Sequence, residues 1–142
     1  MKRNLKNKSN DLWVKIEIDA GLIASSLELA KRDIKTSKEI FAVGDYDWTF
    51  SIAYNAMLQA ARALMFAKGF RSKGEQKHLS VVEFVKTFFT KDFSEKQIFM
   101  FNKMRKKRHL VIYEQSRIIT EDEAKRALKV ARSFLNVVSS LI

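Results

Sequence analysis

Three features of this chain predict an all-α fold, an up-and-down antiparallel bundle of about five helices with no sheet. Its 142 residues include no proline and only four glycines, the residues on which a fold rich in tight turns depends. Apolar residues recur at steps of three and four along most of its length, the period of one helix face. Hydrophobic residues at 46% and charged residues at 30% give the balance of a chain that buries a core.

The elements follow in order. Residues 1–10 are basic and polar and read as a flexible arm ahead of a single domain over 11–142. The first helix starts at Leu12 or Ala20 and runs to Phe41, with Ala20, Ile23, Leu27, Ala30, Ile34 and Phe41 on its inner line. Gly44 and Asp45 end it, and Asp45 or Asp47 is placed to cap the second helix, Trp48–Lys68. That helix carries Phe50, Tyr54, Met57, Ala61 and Leu64 on one line, and Gly69 stands where a left-handed C-terminal cap belongs. Its alanines, among them Ala53, Ala56, Ala60 and Ala63, allow close approach of a neighbour, in the core or across a dimer seam.

Phe70–Lys77 reads as a basic loop, and a third helix spans His78–Phe89. Ser94 with Gln97 forms a capping box for a fourth helix, Glu95–Val111. Thr120 with Glu123 does the same for a fifth, whose stripe of Ala124, Ala127, Leu128, Ala131, Phe134, Leu135, Val138 and Leu141 reaches the last residues. Short links between long amphipathic helices favour antiparallel neighbours.

Composition removes several classes of function. With no cysteine there is no disulfide, zinc-thiolate site or thiol catalysis, and His78 and His109 are too few for a histidine-only metal cage. No metal or cofactor is expected. No glycine-rich phosphate loop or nucleophile elbow is present. The adjacent acids Glu121, Asp122 and Glu123 read as capping and dipole partners of the last helix. The N-terminal residues lack the apolar run of a signal peptide, and no window is apolar enough for a membrane helix, so the cytoplasm is the expected location.

Charge is the most informative number. Lys and Arg total 27 against 16 acids, a net charge of +11, which favours polyanionic partners such as RNA or nucleotides. Lysine used for solubility alone is the competing explanation. The excess is clumped, however: Lys2, Arg3, Lys6 and Lys8 crowd the first eight residues, and Lys103, Arg105, Lys106, Lys107 and Arg108 fall within six positions. Like charges that close repel one another, so stability alone does not place them there.

On the fourth helix, Ile98, Phe101, Met104, Val111 and Ile112 form the apolar stripe, with Arg108 in its middle, Arg105 inside the same face and His109 at its edge. A guanidinium on an inward face needs a partner or a cleft. The structural option is a salt bridge to Glu39, Asp45 or Asp47. The functional option is a basic groove that holds phosphate. His78, beside Lys73 and Lys77 at a helix start, is placed to meet an anion or to be a surface residue without a duty.

At this point the chain resembles the HEPN family, specifically the small prokaryotic HEPN proteins. One stretch is Asp47 and Trp48 leading into SIAYNAMLQAARALMFAKG at 51–69, similar to the family's aromatic-rich second helix ending in lysine-glycine. Another is His78 opening a helix that contains Phe84. The third is Arg108 through Tyr113, followed by the segments Ile119–Ala124 and Ala131–Leu135.

The resemblance implies a helical bundle that dimerises, and in active members a metal-independent RNase with an Arg and a His four to six residues apart in a cleft across the dimer. There the arginine steadies phosphate and the imidazole moves protons. Arg108 matches the family arginine. The position five residues on holds Tyr113, where the histidine would stand, and His109 is adjacent to Arg108. Only three residues separate Arg105 from His109. Tyr113, a weak base at neutral pH, is suited to stack on a base or donate to a phosphate.

Three functions follow. The first is a dimeric module that binds RNA or a nucleotide in a basic cleft through Arg105, Lys106, Lys107, Arg108 and Tyr113, with Lys73, Lys77 and His78 as further contacts. The resemblance adds a minimal nucleotidyltransferase as partner, in a toxin–antitoxin pair. The second is an active endoribonuclease using Arg108 with His109 or Tyr113. The third is a helical protein–protein adaptor whose basic face is incidental.

Overall fold

The computed structural model describes residues 12–114 and 116–142, so the basic arm expected over 1–10 lies outside the described residues. The five helices are α1 (Ala20–Ala42), α2 (Tyr46–Ala67), α3 (Lys77–Phe88), α4 (Glu95–Tyr113) and α5 (Glu121–Leu141). They assemble as the expected helical bundle.

Local chemistry sets their ends. Asp19 accepts hydrogen bonds from the amides of Gly21 (2.9 Å) and Leu22 (3.3 Å), which starts α1 at Ala20 rather than Leu12. Asp45 accepts from the Trp48 amide at 3.1 Å and caps α2. Both capping boxes form: Ser94 with Gln97 on α4, and Thr120 with Glu123 on α5. Gly69 has φ +82° just past α2, and a Cβ there would stand 3.2 Å from the Ile16 carbonyl oxygen.

Packing makes α2 the centre of the molecule. It touches all four other helices and buries thirteen of its residues, including Tyr54, Met57, Leu64 and six alanines or serines. The alanines bring α1 and α5 close, and Ser37 on α1 donates a 2.7 Å bond to the Thr49 carbonyl of α2. Phe101 on α4 meets Phe134 on α5 at 5.0 Å, and Phe134 stacks on Phe93 at 4.5 Å.

Among the described residues, the departure from an all-helical chain is a two-stranded antiparallel pair, β1 (Trp13–Lys15) with β2 (Phe70–Ser72). Trp13 is opposite Ser72, Val14 opposite Arg71 and Lys15 opposite Phe70. β2 takes up the start of the segment read as a basic loop. Trp13 locks the pair to the bundle: its indole N–H donates to the Ser80 carbonyl at 2.7 Å, and its ring meets Phe84 edge-on at 5.3 Å. Val14, Ile16 and Ile18 alternate with Lys15 and Glu17, a period of two that signals a strand more than a helix.

Candidate anion site

Tyr54 lies in the middle of α2 with no exposed surface. Its hydroxyl is 3.0 Å from Nδ1 of His78, near the start of α3, and the two rings stack with centroids 5.7 Å apart. A phenol is the stronger donor here and an imidazole nitrogen the stronger base, so the O–H donates to Nδ1 and the ring proton sits on Nε2.

Arginines surround this pair. The Arg108 guanidinium stands over the Tyr54 ring, 5.7 Å from its centre. Arg105, one turn back on α4, donates from Nε to Asn102 Oδ1 at 3.0 Å. Arg62 is half-buried on the Tyr54–Leu58–Arg62 ridge of α2. Phe101, 5.9 Å from the Tyr54 ring, fixes the approach of α4.

The electrostatics have one sign. Burial, then the fields of Arg108, Arg62 and Arg105, push the His78 pKa down to about 4, so the ring is neutral at pH 7. Burial drives the Tyr54 pKa well above its usual value, against the pull of the same three cations, and the phenol keeps its proton. Burial lowers the Arg62 pKa. Among the described residues no carboxylate acts on either Tyr54 or His78. Arg108 Nε is buried without a hydrogen-bond partner, and Arg62 and Arg108 make no ion pair among the described residues. The charged and polar groups around this pair are therefore donors, three guanidiniums and one imidazole N–H, a set whose chemistry suits an oxyanion.

The salt-bridge option for Arg108 is not realised. Asp45 caps α2, and Asp47 accepts from the backbone amides of Arg117 and Ile119 (3.0 Å to the latter), tying the α4–α5 link to the start of α2. Asp47, Trp48, Val111 and Ile112 line an open groove of about 790 Å³ at that link.

The other candidates are dispersed. α4 continues as helix to Tyr113, so Arg108 and His109 project about 100° apart. His109 is exposed, 3.9 Å from a Glu114 carboxylate oxygen and 5.0 Å from the Tyr113 ring, and Tyr113 is 68% exposed. Lys107 pairs with Glu123 on α5, and Lys106 faces solvent. Lys73 lines a separate shallow groove with Glu75 and Glu83, and Lys77 is exposed. Of the residues singled out from sequence, Arg105, Arg108 and His78 come together. Tyr54 and Arg62 were missed as site residues, although Arg62 is the one basic residue in the 22 of α2.

Fold and site together define a small helical bundle built around a tyrosine–histidine pair ringed by arginines. The family model of the HEPN domain matches residues 23–141, and the chain belongs to that family. Its fold is similar to the crystal structure of TT1696 from Thermus thermophilus, with a TM-score of 0.69 at 20% identity over 84% of this chain and 98% of that one. It is also similar to ST0689, an archaeal HEPN homologue, with a TM-score of 0.64 at 15% identity over 84% of this chain and 96% of that one. No curated protein matches the chain significantly. No helix among the described residues is long and apolar enough to cross a membrane.

Proposed function

We propose that this HEPN chain binds RNA or a nucleotide by seating a phosphate among Arg62, Arg105, Arg108 and the Nε2–H of His78. The observation that carries the reading is the buried, unbonded Nε of Arg108 inside a cluster of cations that no described acid neutralises. Three guanidiniums around one phenol leave cationic donors without an acid partner among the described residues, and a bound phosphate takes them up as charge-assisted hydrogen bonds. Binding is placed ahead of cleavage because His109 faces solvent away from Arg108, while Nδ1 of His78 is already occupied as the acceptor of the Tyr54 hydrogen bond.

The test is calorimetric titration of a nucleoside monophosphate and of a short single-stranded RNA, with EDTA present. Wild type is expected to bind both, with inorganic phosphate competing, and Arg108→Ala or Arg62→Ala to weaken both. Equal affinity in wild type and variants would remove the reading. RNA cut by wild type but not by Arg108→Ala would replace it with metal-independent cleavage.

The same reading includes a homodimer, in keeping with a family whose members commonly dimerise, and a minimal nucleotidyltransferase as protein partner. Light scattering of the purified chain, and copurification with a co-expressed minimal nucleotidyltransferase, test these two parts separately.

A further inference from the structure

A second basic surface lies on the other flank of α4, away from Arg105 and Arg108. Here α4 and α5 diverge into a groove of about 570 Å³ with Met100 and Val130 among its lining. Lys96 on α4 faces Lys125, Arg126 and Lys129 on α5 across it. A smaller hollow continues the groove along α4 through Met100 and Arg126 to Lys103. Inter-helix contacts bracket this run: Gln97 donates to Ser133 Oγ at 3.2 Å at one end, and Lys107 pairs with Glu123 at the other.

Five of these cations, Lys96, Lys103, Lys125, Arg126 and Lys129, make no ion pair among the described residues. A solvated helix face usually intersperses acids with its lysines. Among the described residues lining this groove, Asp122 is the one acid outside the Lys107 pair. Phe99, 63% exposed, comes three residues after Lys96 and four before Lys103, so the three share the outer side of α4 beside the groove. An exposed aromatic between two cations, next to a basic groove, matches the two contacts a single strand offers, a base to stack and phosphates on either side. The Ser133 hydroxyl at the groove's end, which accepts from Gln97, keeps its own O–H to donate to a ribose 2′-hydroxyl.

From this arrangement we infer that the α4–α5 groove and the adjoining side of α4 form a second binding site, for single-stranded RNA, with Phe99 as the stacking platform and Lys96, Lys103, Lys125, Arg126 and Lys129 as phosphate contacts. The inference does not depend on the phosphate site proposed at Tyr54 and His78. The groove takes a strand by stacking and spread charge, whereas the pocket takes one anion by converging donors.

The test is fluorescence anisotropy of a labelled oligoadenylate of about 15 nucleotides, a length that spans such a track. The full chain is compared with Phe99→Ala, the double variant Lys125→Glu/Lys129→Glu, and Arg108→Ala. All the groove positions changed are exposed, and thermal melts verify that the variants are folded. The charge reversal is expected to weaken binding at least about 10-fold, with the wild-type affinity falling steeply between about 50 and 200 mM salt. Phe99→Ala is expected to weaken it by about 5-fold or more. In the Arg108→Ala background the Phe99 effect persists, even where mononucleotide binding is lost, so failure of the pocket and failure of the groove read out separately. Unchanged affinity in the charge-reversed variant would overturn the proposal. So would an acidic peptide that binds as tightly as the RNA and is indifferent to Phe99→Ala, since the occupant would then be a protein.

Discussion

Arg108 holds its guanidinium 5.7 Å from the centre of the Tyr54 ring, with Nε buried and unbonded. The aromatic face fixes the cation without using its donors, which leaves them for a ligand. Arg108→Ala is therefore expected to cost about 10- to 100-fold in phosphate or mononucleotide affinity, the worth of charged hydrogen bonds. Arg108→Lys keeps the charge but not the planar fork, and is expected to recover only part of it. Calorimetry of the three proteins checks the order.

The His78 ring makes stability depend on pH. Its pKa falls from 6.5 to about 4 on folding, chiefly by burial and then by Arg108, Arg62 and Arg105. As pH drops the unfolded chain takes the proton first, so this contribution is complete above about 6.5 and is lost as pH falls toward 4. In phosphate-free buffer, His78→Gln is expected to flatten that part of the stability profile by about 1–2 kcal/mol, allowing for the ring's partial exposure. Denaturant melts at stepped pH measure it; parallel profiles would show that another group carries the slope.

Tyr54→Phe removes the donor to His78 Nδ1 and leaves that nitrogen unsatisfied in a half-buried site. A loss of about 1 kcal/mol is expected. The ring remains under Arg108, so phosphate affinity is expected to change less than in Arg108→Ala. Nitrogen-15 NMR of the His78 ring reads the tautomer directly, with the Nε2–H form dominant in wild type and mixed in the variant.

Asp47 joins the start of α2 to the amides of Arg117 and Ile119. Asp47→Ala leaves those donors without this acceptor and also removes an acid from the first turn of α2, for a loss of about 1–3 kcal/mol. Thermal melts give the size, and faster amide exchange at Ile119 locates it.

Trp13 ties the two-stranded pair to α3. Trp13→Phe keeps a ring against Phe84 but removes the indole donor to the Ser80 carbonyl, for about 1 kcal/mol, while Trp13→Ala also opens a cavity and is expected to cost about 3–5 kcal/mol. Chemical denaturation separates the two.

The helices are legible in the chain alone, because each has a local cause: the boxes at Ser94–Gln97 and Thr120–Glu123, Gly69 after α2, and the stripe from Ala124 to Leu141. Arg105 and Arg108 are legible in the same way as cations on an inward face, since one helix's period shows that without a neighbour. The strand at Trp13–Lys15 is harder to read, because its pairing with Phe70–Ser72 spans more than fifty residues and its period-two pattern lasts only a few. The company those arginines keep belongs to the tertiary fold. Tyr54 and Arg62 come from α2, His78 from α3 and Arg105 with Arg108 from α4, and no spacing within one helix encodes their meeting. The crossing of three helices sets it, and His109 and Tyr113 are turned away because, on a helix that continues through Arg108, they project about 100° and about 140° from it.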